Sequence, residues 1–127
     1  MNKKVNELIP KALEAIISSE IANSSNVVDK EFKGYIASMG ASIIQSGLLP
    51  TLAFYSNEFS DSGKKRQKLI TALHILIVNV NNPKLLNYVL SRTNNGTNKE
   101  EIDKFEKQIS DALIALKLAL RTFKQKE

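Results

Sequence analysis

Apolar residues recur every three to four positions along almost the whole chain, and polar residues lie between them. This spacing puts apolar side chains on one face of a helix and predicts a chain that is helical nearly throughout. Short polar stretches rich in Asn, Ser, Gly and Pro separate the helical segments. We therefore expect an all-α fold, a compact bundle of about five to six helices in a single domain over residues 1–127.

The segment Gln45–Ser56 places two helix breakers inside an apolar stretch. Gly47 is expected to end the second helix as a left-handed cap, and Pro50 to occupy the first position of a short third helix. Leu48 and its neighbouring leucine would then fill the corner. The sequence predicts a tight turn between two helices here.

Other helix boundaries rest on similar local signals. Pro10 either starts the first main helix or kinks a longer one, and Asp29 is expected to cap the second helix. Asn82 and Pro83 together predict a cap followed by a first-turn proline, and Asn98 is expected to cap the last helix. That last helix carries an apolar stripe from residue 102 to residue 123.

A fourth helix, expected from residue 64 to about residue 80, is apolar on nearly every side and is therefore predicted to be central. Its β-branched residues 75–80 leave a buried strand as an alternative. The helix contains the single histidine, His74, which has no other metal ligand at helical spacing. We expect His74 to be a packed helix residue.

Composition narrows the classes of function. With 127 residues, 43% of them hydrophobic, the chain is long enough for a core, and without cysteine it has neither disulfides nor thiol chemistry. Charged residues interrupt any signal-peptide core, and no apolar run is long enough to span a membrane. We expect a soluble, cytoplasmic protein. The net charge of +5 favours an anionic partner.

Motifs for catalysis are missing from the sequence. It has no nucleophile elbow, phosphate-binding loop or dinucleotide fingerprint. An acidic group at the start of the last helix would suit a magnesium site or general acid and base catalysis, but carboxylates there also complement the helix dipole; it comprises Glu100, Glu101, Asp103 and Glu106. We expect no enzyme activity, no cofactor and no metal, and keep a small carboxylate enzyme as an alternative.

Two groups of basic residues are candidates for RNA contact. Lys64, Lys65, Arg66 and Lys68 lie at the predicted start of the fourth helix, where positive charge is unfavourable by about 0.3 to 1 kcal/mol per group. Such a cluster beside free amide groups can bind phosphates, although a solvated charge run is the alternative. The second group, Lys117, Arg121 and Lys124, is expected on one side of the last helix, where the dipole alone favours it. Phe54 is expected to pack in the core.

Three stretches, residues 35–38, 43–54 and 111–123, resemble the small α-helical subunit family of the type III-B CRISPR effector, the Cmr complex. A Ser/Asn-Gly-Leu turn followed by a Thr/Ala-Leu-Ala-Phe helix carries the likeness, through Ser46, Gly47, Leu48, Thr51, Leu52, Ala53 and Phe54. Pro50 stands where the family commonly has a polar residue. The helix order is similar along nearly the whole chain.

The resemblance implies a non-catalytic component of RNA-guided antiviral defence. Copies of such subunits stack along the complex opposite its repeated backbone subunit, and they help hold target RNA paired to guide RNA. The expected partners are therefore other Cmr subunits, further copies of the chain and both RNAs. A helical protein-protein adaptor, whose basic surface meets an acidic protein, remains the alternative.

Overall fold

A computed structural model describes residues 3–57 and 59–126. The described residues form six helices and two short strands. The elements in chain order are α1 (Lys3–Ser18), β1 (Val27–Asp29), α2 (Glu31–Ser46), α3 (Leu48–Tyr55), α4 (Asp61–Val78), α5 (Leu85–Arg92), α6 (Lys99–Leu120) and β2 (Lys124–Lys126). The all-α bundle is confirmed, and the strand alternative for residues 75–80 is wrong because α4 continues through Val78.

The core lies where α1 and α4 pack against the long helix α6, with α2 covering another side. α1 contributes small and branched residues at helical spacing, including Ala12, Ala15 and Ile16, which are fully buried. α4 is buried along most of its C-terminal half, as its apolar sequence predicts. α4 also contacts α1, α2 and α3. These contacts fix the position of the helix and therefore of the basic residues on its N-terminal turns.

Several predicted helix boundaries need correction. α1 begins at Lys3, so of the two alternatives for Pro10 the start of the helix is wrong, and Pro10 lies inside a longer helix. Asp29 belongs to β1 and does not cap α2, which begins after Lys30 without a side-chain cap. Pro83 precedes α5 by two residues, because the Asn82 side chain forms a turn by accepting a hydrogen bond from the Lys84 amide at 2.9 Å.

For the last helix, the predicted start is confirmed and the predicted end is wrong. The Asn98 side chain accepts a hydrogen bond from the Glu101 amide at 3.2 Å, which confirms the predicted cap of α6. The helix ends at Leu120, so Phe123 lies beyond it, and β2 follows. β2 pairs in parallel with β1, with Val28 opposite Gln125. This small sheet joins the loop after α1 to the C-terminal segment.

The corner between α2 and α3 depends on the backbone conformation of one residue. Gly47 has φ 93° and ψ 168°, so it has the expected positive φ but not the left-handed helical ψ. α3 begins immediately afterwards, which makes Pro50 its third residue and not its first. Leu48 is buried, as predicted, and the Thr51 hydroxyl donates to the Gly47 carbonyl at 2.8 Å and also contacts Ser42 Oγ at 2.7 Å. The corner is thus fixed by one backbone conformation and two hydroxyl contacts.

Candidate nucleic-acid interface

The first basic group lies on the second turn of α4. The helix begins at Asp61, three residues earlier than predicted, because the Ser60 hydroxyl accepts a hydrogen bond from the Gly63 amide at 2.9 Å. A Cβ at Gly63 would collide with the Asn57 carbonyl, so only glycine fits this close approach. The Lys64 amide already donates to the Ser60 carbonyl. The cations therefore lie one turn beyond the free amides, and the predicted conflict with the helix dipole is weaker than expected.

The positive charge of Lys65 is compensated by two carboxylates within the fold. Its ammonium group lies 3.3 Å from an Asp29 carboxylate oxygen in β1 and 3.6 Å from a Glu31 carboxylate oxygen at the start of α2. The hydrogen bond to Asp29 raises the pKa of Lys65 above its ordinary value, and the negative charges of Asp29 and Glu31 add to this rise. Lys65 thus carries a structural ion pair between α4 and β1, and its charge is largely compensated.

Arg66 points toward α3. Its guanidinium carbon lies 4.8 Å from the ring centroid of Phe54 and 6.0 Å from that of Tyr35. Phe54 is 59% exposed, so the prediction that it packs in the core is wrong; its neighbour Tyr55 takes that place. Burial raises the pKa of Tyr55, whose hydroxyl donates to the Tyr35 carbonyl at 3.2 Å. The guanidinium stacks on the partly exposed ring and thereby shields one of its faces.

Lys64 and Lys68 form the remaining pair. Residues four apart on a helix project from the same side, and both lysines line a cleft of about 280 Å³ between α4, the end of α1 and the loop before α5. Lys68 also borders a second cavity of about 540 Å³ beside the loop after α1. Neither lysine forms an ion pair with a residue in the described ranges 3–57 and 59–126. The first group of four is therefore divided, and two of its cations face an open cleft.

The second basic group is also divided. Lys117 lies on α6, Arg121 is the C-cap residue directly after the helix, and Lys124 belongs to β2. All three side chains are exposed. Lys117 and Arg121 line a small cavity together with Lys33 of α2, whereas Lys124 does not contribute to it. The prediction of one basic helix side is wrong for Lys124, because the helix has already ended.

A family model described as CRISPR-associated protein (Cas_Cmr5) matches residues 6–120. The chain belongs to the Cas_Cmr5 family. This is the small-subunit family of the type III-B Cmr complex, and the resemblance read from the sequence is confirmed. Membership implies association with other components of that complex. Searches of curated proteins and of solved structures found no match.

Three of the four residues in the acidic group of this Cas_Cmr5 chain form contacts within the fold. Asp103 pairs with Lys99 at 3.3 Å and Glu101 pairs with Lys104 at 3.2 Å. A Glu106 carboxylate oxygen accepts a hydrogen bond from the Leu48 amide at 3.3 Å, at the start of α3. Among the described residues, no three carboxylate or histidine side chains are grouped to hold a metal ion.

The prediction that His74 is a packed helix residue is confirmed. Its side chain is buried, its Nδ1 lies 3.1 Å from the Asn82 carbonyl oxygen, and its ring centroid lies 5.7 Å from that of Tyr88. His74 thus anchors the loop before α5 against α4. This loop forms one wall of the cleft that Lys64 and Lys68 line.

The other wall of that cleft was not predicted. It consists of the end of α1, where Ser18, Ser19 and Glu20 follow one another, and of Asn81, whose amide donates to the Ser18 carbonyl at 3.2 Å. Glu20 has a positive φ of 65°, which is uncommon for a residue other than glycine, asparagine or aspartate. No periodic or spacing signal connects residues 18–20 with residues 64–68 in the sequence. Within the described helices, none is long and apolar enough to cross a membrane.

Proposed function

We propose that this Cas_Cmr5 protein is a non-catalytic small subunit that stacks along the Cmr complex with further copies of itself and helps bind target RNA paired to the guide RNA. The proposal rests on family membership and on one observation, the placement of Lys64 and Lys68 on the same side of α4 above an open cleft. Free ammonium groups at a cleft attract phosphate oxygens, which repeat along any RNA strand. RNA would thus be held through its backbone, without reading of bases.

Lys64 and Lys68 are better candidates than the other two cations of the group. The charge of Lys65 is already compensated by Asp29 and Glu31. The guanidinium of Arg66 stacks on the Phe54 ring, so engaging a phosphate would require it to give up that contact. We therefore propose Lys64 and Lys68 as the two residues of the first basic group that contact phosphate.

The non-catalytic part of the proposal is supported by the state of the carboxylates. Glu101 and Asp103 pair with lysines of the same helix, and Glu106 contacts the first amide of α3. Carboxylates that are paired in this way stabilise a helix and its neighbour, and they are not arranged around a common point.

The test replaces Lys64 and Lys68 with glutamine and measures binding of target RNA by the assembled complex over a series of salt concentrations. Each lost phosphate contact lowers the slope of log K against log salt by about 0.7 to 0.9, so the double variant should bind more weakly and show a slope smaller by about 1 to 2. Glutamine removes the charge, is only slightly shorter than lysine and has a similar helix propensity.

Lys65→Gln is the control, because it removes one positive charge from the same part of the same helix by the same substitution. We expect its salt slope to stay that of the parent. An unchanged affinity and slope for the double variant in an intact complex would contradict the proposal and would favour the adaptor alternative, in which the basic surface meets an acidic protein. An effect of Lys65→Gln about half as large as that of the double variant, as expected for one charge out of two, would mean that only overall charge matters.

A further inference from the structure

An exposed apolar groove runs between α2 and α6. Its volume is about 440 Å³, and its walls are formed by branched side chains of both helices. Ile44 of α2 is 87% exposed and Ile114 of α6 is 47% exposed, and both border this groove. Two large apolar side chains exposed beside one another on a single groove are typical of a surface that another molecule covers.

Gly40 lies in the groove, in the interior of α2. A Cβ at this position would meet nothing within 4 Å, so the packing of this chain does not require glycine. Glycine inside a helix lowers its stability relative to alanine. Its neighbours in the groove, Ala37 and Ala41, are also small and leave the α2 backbone accessible. A glycine that the fold does not need allows the close approach of a second backbone.

Charge is distributed unequally along the groove. Lys33 and Lys117 lie at its edge, and both also line the small adjoining cavity with Arg121. Among the residues that the structure describes, no carboxylate lines either cavity. In the described part of the chain, Lys33 and Lys117 form no ion pair. The apolar surface thus ends in a cluster of three cations that have no acidic neighbour among the residues lining these cavities.

We propose that this groove binds an amphipathic helix of a different protein chain, with apolar residues that cover Ile44 and Ile114 and acidic residues that meet Lys33 and Lys117. Nucleic acid fits the surface poorly, because protein–RNA contacts use polar and charged groups and these walls are aliphatic. A second copy fits it poorly as well. The acidic segment of this chain, at the start of α6, already buries its apolar residues Phe105 and Ile109 in its own core.

The experiment compares two glycines of α2. Gly40→Gln fills the groove, whereas Gly34→Gln places the same side chain on the same helix at a position that is equally open and does not line the groove. The probe is the Cmr complex assembled without this chain and without target RNA. We expect Gly40→Gln to bind it about tenfold more weakly than the parent and Gly34→Gln to bind it as the parent does.

Thermal unfolding of both variants gives a check on folding. Since neither position has a neighbour within 4 Å and glutamine is the better helix former, both should unfold at or above the temperature of the parent. Omitting target RNA keeps this test separate from the RNA proposal: loss of RNA binding by the lysine variants and loss of assembly by Gly40→Gln are different readouts. Equal retention of the two glutamine variants would overturn the docking proposal.

The occupant is identified by cross-linking. The chain contains no cysteine, so Ile44→Cys creates a unique attachment point for a photoreactive group. In the assembled complex we expect one cross-linked peptide from another protein, with apolar residues at helical spacing and with Asp or Glu nearby. A cross-link to a second copy of this chain, to RNA or to a basic segment would refute the proposal.

Discussion

At the scale of single residues, Phe54 shows how an apolar side chain on a helix can serve the surface. The ring is 59% exposed and carries the Arg66 guanidinium on one face, whereas Phe32 of α2 is 1% exposed. We expect Phe54→Ala to lower the free energy of unfolding by about 1 kcal/mol or less, because little buried area is lost. Phe32→Ala should cost about 3 to 5 kcal/mol. Urea unfolding of both variants measures the difference, and equal losses would contradict it.

The sequence does not reveal the direction in which each side chain of the first basic group points. Successive residues on a helix point about 100° apart, so Lys64, Lys65 and Arg66 must diverge in any helix. Which neighbour each one meets depends on β1, α3 and the end of α1, all distant in sequence. The charge cluster was therefore predictable, but its division into an ion pair, a ring contact and a cleft pair was not.

At the scale of elements, the turn between α2 and α3 depends on Gly47. Its φ of 93° with ψ of 168° falls in a region that only glycine occupies readily. Gly47→Ala should therefore destabilise the protein by about 1 to 3 kcal/mol. Gly34→Ala, in the interior of α2 with nothing within 4 Å of the added Cβ, should instead stabilise it by about 0.4 to 1 kcal/mol. Opposite shifts in the urea midpoint are the expected result, and shifts of the same sign would contradict this reading of the turn.

Helix and strand boundaries were predicted correctly where they depend on residues close in sequence, and missed where they depend on distant ones. Asn98 and Gly47 act on backbone groups within three or four residues, and both were recognised from the sequence. The start of α4 at Asp61 was missed because Gly63 normally disfavours a helix. Here the Asn57 carbonyl approaches residue 63 so closely that only glycine fits. The strands were missed because each has only three residues and they pair across 97 positions of sequence.

At the scale of the whole molecule, whose net charge is +5, basic residues lie on two surfaces that differ in polarity. The cleft of Lys64 and Lys68 is lined mainly by polar residues, and the groove near Lys33 and Lys117 mainly by apolar ones. Polar surroundings keep a bound phosphate hydrated, whereas apolar surroundings favour a packed helix. The same excess of positive charge therefore supports two proposals with separate partners.

The sheet of β1 and β2 joins the loop after α1 to the C-terminal segment, and it leads to the final prediction. A chain that stops after Phe123 loses β2, whose side chains are all exposed, so the helical core should keep nearly its full melting temperature. The Val28 amide, at the centre of the paired strand, should exchange with deuterium faster because its parallel partner is gone. The Val27 amide donates to Asn23 Oδ1 at 3.0 Å and should keep its protection. Gln125→Ala keeps the backbone pairing and is the control, for which we expect the exchange of the parent. Unchanged protection of Val28 in the shortened chain would contradict this prediction and would show that other contacts, including the bridge between Ala22 and Val28, hold β1 in place.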